Sequence, residues 1–355
     1  MFSDTISSYR GPYEVTTAPF DPPKYMEVTQ NSFLVIDRRV AALHPKFIDL
    51  FKGKSIFYVH AEEKNKNLLT CQNLIDSLIQ KDFKRNQRLI AVGGGIVQDI
   101  VGFTSSILYR GIEWIFYPTT LLAQTDSCIG SKTSINFGAV KNLLGTFHPP
   151  CQIFCCPEVL KTLSLEDIKS GIGEMLHYLL LENMDGAESL MKEYEKCLES
   201  PHLLSPYMVK SLKIKKNMIE KDEFDQGPRR VFNYGHTFGH ALEGATEHAL
   251  AHGNAVTAGI DMSNYIGMRM GTISTEEYEK LYSLISPNLP TYILTQSMVA
   301  TYLKLLLKDK KNVGDALVCI LPYGIEDIRL AILKDKEPIM QYIRDYFTLR
   351  GCLDE

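Results

Sequence analysis

Arg88-Leu-Ile-Ala-Val92-Gly93-Gly94-Gly95-Ile96-Val-Gln-Asp99 is the stretch whose reading sets the fold class. A short apolar run ends in three glycines, and residues 96–109 continue at helical length. A strand that turns on glycine directly into a helix is the repeating unit of parallel α/β proteins. The backbone N–H groups of such a turn, together with the helix N-terminus, can hold a pyrophosphate. The spacing is not Gly-x-Gly-x-x-Gly, so the turn by itself is equally a tight connection. Asp99, one turn into the helix, either pairs with the helix dipole or takes a ribose hydroxyl.

The same alternation extends outward. Strand-like runs cover 32–37 and 55–60, and a helical pattern covers 68–81, with Leu69, Leu74, Ile75, Leu78 and Ile79 at helical spacing. The next strand is 114–117. It ends at Pro118-Thr119-Thr120, whose hydroxyls either face a cofactor or cap the next helix. Strands alternating with helices imply a parallel sheet with right-handed crossovers. Residues 1–30, rich in Pro, Tyr and Thr, read as a loose lead-in or an edge hairpin. Beyond Leu160 long helical patterns dominate, at 164–183, 186–198, 205–221, 236–248, 252–271, 275–286, 297–307 and 335–347, with a late strand at 318–322. The expected organisation is an α/β domain over 1–157 and an all-helical domain over 158–355, closely packed with a cleft between them.

Composition bounds the class. The 355 residues are 45% hydrophobic and 23% charged, values typical of a globular protein. A net charge of −4 and a pI near 6.2 leave no electrostatic footprint for nucleic acid. No run resembles a signal peptide or a membrane span, so a cytoplasmic protein is expected. The eight cysteines contain no Cys-x-x-Cys pair, and Cys151, Cys155 and Cys156 sit among prolines, so they read as reduced and half-buried.

The chemistry concentrates in Asn233-Tyr-Gly-His236-Thr-Phe-Gly-His240 and Ala251-His252-Gly253, which hold three of the nine histidines. His236 and His240 share a helix face. Two imidazoles and a distant carboxylate make a metal site with an open position. Glu174-Met-Leu-His177-Tyr178 offers that carboxylate; it also fits a surface helix. A di-iron site would need a second Glu-x-x-His on a helix, and the other occurrence, Glu199-Ser-Pro-His202, carries a proline, so a mononuclear site is favoured. Asp126 through Lys132 to Asn136, with Lys141 and Asn142, forms a polar, glycine-studded stretch. It suits an anion, or is simply a solvated loop.

In order and spacing, Gly93-Gly94-Gly95 with Asp99, Tyr109-Arg110-Gly111, Pro118 to Gln124, Asp126 to Lys132, Lys141-Asn142, Glu174, Asn233 to His240 and His252-Gly253 resemble the 3-dehydroquinate synthase family of sugar-phosphate cyclases, over roughly residues 35–325. The resemblance implies a Rossmann-like NAD domain, a helical metal domain and a homodimer. It implies Glu174, His236 and His252 as ligands of a divalent metal (Zn or Co), with His240 meeting the substrate phosphate. On the NAD side it implies Asp37, Glu63, Lys66, Gly94, Gly95, Asp99, Thr119, Thr120, Lys141 and Thr162, with Asp167 near the ribose. On the substrate side it implies Asp126, Lys132, Asn142, Lys215, Arg229, Asn233, His240 and Lys310, with Arg110 reaching across the dimer; His177 stands at one further substrate-side position. The implied chemistry is transient oxidation of a carbinol by NAD, loss of phosphate, return of the hydride, ring opening and an intramolecular aldol closure.

Three positions depart from that pattern. His177 stands where the family carries lysine, so one substrate contact is lost or replaced. Gly130-Ser131-Lys132 replaces Gly-Gly-Lys. Phe147-His-Pro-Pro150 looks more like the cyclitol-forming relatives, whereas Asn233 and His240 match 3-dehydroquinate synthase itself, and Arg229 and Lys215 would suit a substrate carboxylate. The expected activity is a phosphate-eliminating cyclase acting on a phosphorylated ketose or keto-acid. The alternatives are a cyclitol synthase using sedoheptulose 7-phosphate or glucose 6-phosphate, a metal-dependent NAD alcohol dehydrogenase, and a binding-only relative.

Overall fold

The computed structural model describes residues 2–19, 31–51, 55–138, 140–308, 312, 314 and 316–354. The chain forms two compact units, Met1–Ser164 with Ser200–Glu223, and Leu165–Glu199 with Phe224–Glu355. A boundary at 157 would put Ser200–Glu223 in the helical part. It belongs instead to the first unit, because Leu212 and Ile219 of the Ser205–Ile219 helix are buried in that unit's core.

The first unit is built on a seven-stranded sheet. Its strands are β1 (Phe2–Ile6), β2 (Tyr13–Thr17), β3 (Ser32–Asp37), β4 (Ile56–Val59), β5 (Arg88–Gly93), β6 (Trp114–Pro118) and β9 (Gln152–Cys155), in the order β1-β2-β9-β6-β5-β3-β4. Every pairing is parallel except β1 with β2, which form the edge hairpin. The parallel strands are apolar along their length because both faces are covered. Phe33, Val35, Leu89, Ala91, Trp114, Phe116 and Ile153 point into one core, and Leu34, Ile36, Ile90, Val92, Ile115, Tyr117 and Phe154 into the other. That is the period of two expected of pleated strands.

The polar block read as a loop is a second, two-stranded sheet, β7 (Lys132–Phe137) with β8 (Val140–Phe147). Its alternation is hard to see because the buried positions of β7 are Thr133 and Ile135, a weak apolar signal. The hairpin lies close against the Gly95–Ile107 helix, where a Cβ on Gly102 would come within 2.8 Å of the Thr133 methyl.

Among the described residues the second unit is helical except for one hairpin, β10 (Leu317–Pro322) with β11 (Ile328–Leu333). The pattern over 186–198 divides into Met184–Lys192 and Tyr194–Glu199. The one over 236–248 stops at Ala245, since Glu247 and His248 take positive φ of 50° and 64°. The His252–Met270 helix is buried from Gly253 to Gly267, which makes it the axis of the unit.

Glycine lets neighbouring helices approach that axis. A Cβ on Gly253 would lie 1.8 Å from the Ser170 carbonyl oxygen, and one on Gly173 would lie 2.1 Å from that of Gly253. On the other side, a Cβ on Gly259 would lie 2.0 Å from the Gly235 oxygen. Backbone-to-backbone contact of this kind excludes any side chain at these positions.

Candidate active site

The two crossings bring Glu174 of the Leu165–Glu182 helix to His236 and His252, each the first residue of its helix. Glu174 Oε1 lies 3.5 Å from His236 Nε2 and 3.1 Å from His252 Nε2. Both rings are tied at the other nitrogen. His236 Nδ1 is 3.2 Å from the Tyr234 carbonyl, which can only accept, so Nδ1 carries the proton. His252 Nδ1 is 3.2 Å from Glu243 Oε2, which accepts in the same way. Both Nε2 atoms are thereby turned toward one buried carboxylate.

Burial alone would raise the Glu174 carboxyl, but the imidazoles of His236 and His252 hold it well below the usual carboxylate range. Burial would lower His252, and Glu174 and Glu243 together raise it well above an ordinary imidazole. Oε1 of Glu174 is buried and has no hydrogen bond of good direction, despite two nitrogens close by. Ligand atoms of all three residues fall within 4.8 Å of one another. A buried carboxylate and two imidazole nitrogens converging on one point, with Oε1 of Glu174 in no well-directed hydrogen bond, fit a divalent cation that would take the place of the imidazole protons, and a Glu/His/His set accepts Zn or Co.

His177 lies behind this group. It is fully buried, with its ring 4.9 Å from that of His236, 4.7 Å from Tyr178 and 5.8 Å from Phe232. Its Nδ1 is 4.0 Å from Glu174 Oε2. His240 is exposed, its ring stacked 5.5 Å from that of His252. Arg229 is buried in the 228–233 turn, and Asn233 donates to the Arg230 carbonyl at 2.9 Å. Asp167 falls in the first turn of the Leu165–Glu182 helix. Lys310 lies outside the described residues. Glu243 was missed by sequence reasoning; its signal was a position three residues after His240, on the face that already carries His236.

In the first unit, the expected nucleotide-side residues follow the C-terminal ends of parallel strands. Asp37 ends β3, Glu63 follows β4, Gly94 and Gly95 follow β5, and Thr119 and Thr120 follow β6. Winding reverses at β3, which has β4 on one side and β5 on the other, and such ends bind ligands in open α/β sheets. A Cβ on Gly94 would approach the Thr120 methyl to 2.8 Å, so the two turns touch. Thr120 Oγ1 accepts from Ala123 N at 3.2 Å and acts as a cap. Asp37 caps the Arg38–Leu43 helix through Arg39 N, and burial pushes its carboxyl upward against that hydrogen bond.

Asp99 faces the β7–β8 hairpin. Its carboxylate accepts from Ser134 N at 2.9 Å and from Lys66 Nζ at 3.1 Å. Lys66 also donates to Asn142 Oδ1 at 2.6 Å, and Asn142 holds a left-handed φ of 52°. Glu63 accepts from Asn136 at 2.8 Å and lies 3.9 Å from Lys141. Asn142, expected on the substrate side, therefore shares one network with the expected cofactor residues. Lys215 donates to Asp126 Oδ1 at 2.8 Å and to its carbonyl at 2.7 Å. Lys132 begins β7 on its exposed side. Thr162 Oγ1 pairs with His44 Nε2 at 2.8 Å. Arg110 is exposed and, like Tyr109 beside it, left-handed, at 65° and 49°.

Residues 56–170 match the 3-dehydroquinate synthase N-terminal domain and residues 171–312 the C-terminal domain. A 3-dehydroquinate synthase of Helicobacter pylori is 32% identical over 327 residues, covering 90% of this chain and 93% of its own. A 2-deoxy-scyllo-inosose synthase, solved with carbaglucose-6-phosphate, NAD+ and Co2+, superposes with a TM-score of 0.84 at 24% identity, over 97% of this chain and 100% of its own. The 2-epi-5-epi-valiolone synthase of Streptomyces hygroscopicus, solved with NAD+ and Zn2+, gives 0.79 at 23%, over 96% and 97%. Two adjoining domain matches and a relative aligned over nine-tenths of the chain show that the chain belongs to the 3-dehydroquinate synthase family.

Proposed function

We propose that the protein is an NAD- and metal-dependent sugar-phosphate cyclase that eliminates phosphate from a phosphorylated keto-acid, with chemistry of the 3-dehydroquinate synthase type. The carrying observation is the convergence of two tautomer-fixed Nε2 atoms on buried Glu174. A divalent metal held there would supply Lewis-acid acidification of a substrate hydroxyl. NAD held at the C-terminal strand ends of the first unit would supply a reversible hydride acceptor.

The chain's own residues supply orientation and charge. Glu174, His236 and His252 would hold the metal. His240, exposed beside His252, would meet the phosphate, and buried Arg229 with Asn233 would present donors to a carboxylate or hydroxyl. Asp126 fixes the Lys215 ammonium, which would face substrate oxygen. Glu63, Lys66, Asp99 and Lys141 would line the nucleotide side with Asp37, Thr119 and Thr162. Arg110, exposed after the Gly95–Ile107 helix, would serve a second copy in a homodimer.

Purified protein with NAD and Co2+ or Zn2+ is expected to release phosphate from 3-deoxy-arabino-heptulosonate 7-phosphate with no net change at 340 nm, because the hydride returns. Accumulating NADH with a simple alcohol would reassign the protein to the dehydrogenases. His177 supports a second reading, since no lysine follows Glu174 by three residues. Turnover of sedoheptulose 7-phosphate or glucose 6-phosphate, with none of the keto-acid, would make it a cyclitol synthase.

A further inference from the structure

Glu243 has no part in the chemistry above, yet it controls one of the proposed ligands. It sits on the His236–Ala245 helix, on the face carrying His236 and His240. Its side chain is only 14% exposed, and Oε2 is 3.2 Å from His252 Nδ1. A carboxylate oxygen accepts, so Nδ1 keeps its proton and Nε2, 3.1 Å from Glu174 Oε1, is left as the atom that would meet a metal. The partner of His236 Nδ1 is a neutral main-chain carbonyl.

We propose that Glu243 is a positioning residue that fixes the tautomer and ring plane of His252, holding its Nε2 toward a divalent metal. A carboxylate hydrogen-bonded to a ligating imidazole orients the ring and raises its basicity, and loss of such a partner typically costs 10- to 100-fold in metal affinity. The inference rests on the metal reading of Glu174, His236 and His252. His240, Glu243 and His252 also place ligand atoms within 4.8 Å of one another. A second ion there would have to displace the Nδ1 proton and share one ring between two metals, so the hydrogen bond is the simpler use of Glu243.

Chelator-stripped full-length protein is titrated with Zn2+ against a chromophoric competitor, and separately loaded with Co2+ for its absorption spectrum. Wild type is expected to bind one equivalent. Glu243→Ala should bind one equivalent 10- to 100-fold more weakly. Glu243→Gln, which keeps an acceptor but loses the charge, should fall between, and both variants should shift the Co2+ bands. Metal-free Glu243→Ala should melt with metal-free wild type. Affinity within twofold of wild type, or an equal loss of stability without metal, would overturn the proposal. So would two equivalents in wild type and one in Glu243→Ala, since Glu243 would then be a ligand of a second ion. No metal uptake by wild type would instead overturn the metal reading beneath it.

Discussion

His177 shows how one side chain supports the site from behind. Its ring packs between Tyr178, Phe232 and His236 while Nδ1 faces Glu174. His177→Ala would open a cavity beneath the ligand group and is expected to cost about 2–4 kcal/mol. His177→Phe, which keeps the volume, should cost less, as urea unfolding of the metal-free protein would measure. Cys151 offers a second check at this scale. Burial pushes its thiol up to about 11. A raised thiol pKa leaves little thiolate near neutral pH, and thiolate is the reactive form. At pH 8, iodoacetamide should label Cys151 roughly two orders of magnitude more slowly in native protein than in unfolded protein, by peptide mass spectrometry. Comparable rates would show the thiol to be solvated.

At the level of elements, the site depends on how closely three helices meet. The Leu165–Glu182 and His252–Met270 helices touch backbone to backbone through Gly173 and Gly253. Gly253→Ala would drive its methyl into the Ser170 carbonyl, and no rotamer relieves a backbone clash at 1.8 Å. The helices must separate, carrying Glu174 away from His252. The expected result is a loss of several kcal/mol in stability, with zinc affinity reduced at least tenfold by equilibrium dialysis. Unchanged affinity would mean that the crossing does not set the ligand geometry. In the first unit the corresponding device is the β7–β8 hairpin, which presents Ser134, Asn136 and Asn142 to Asp99, Glu63 and Lys66.

Across the whole molecule, the two proposed ligands belong to different units. A ligand present at about 100 times its dissociation constant stabilises what it binds by roughly 2.7 kcal/mol. Hydrogen exchange should therefore show Zn2+ protecting Leu165–Glu199 and 224–354, the second unit, with NAD protecting the strand ends of 31–164 in the first. Zinc protection confined to the first unit would contradict the site. Much of this plan is legible from local chemistry. The parallel sheet can be read from apolar runs that turn on glycine, since strands buried on both faces need no partner information to be recognised. The shared helix face of His236 and His240 can be read from spacing, whereas the set of Glu174, His236 and His252 is implied only by the family resemblance. Other features come only from residues distant in sequence. Ser200–Glu223 joins the first unit because Leu212 and Ile219 find its core. The polar block folds as a hairpin because Thr133 and Ile135 find the Gly95–Ile107 helix. Glu243 becomes a partner of His252 because the crossing glycines turn two helix faces together. The sequence by itself determined the fold class and the family. Tertiary structure decided which polar groups share a proton, because hydrogen bonds form between atoms that the chain's order does not bring together.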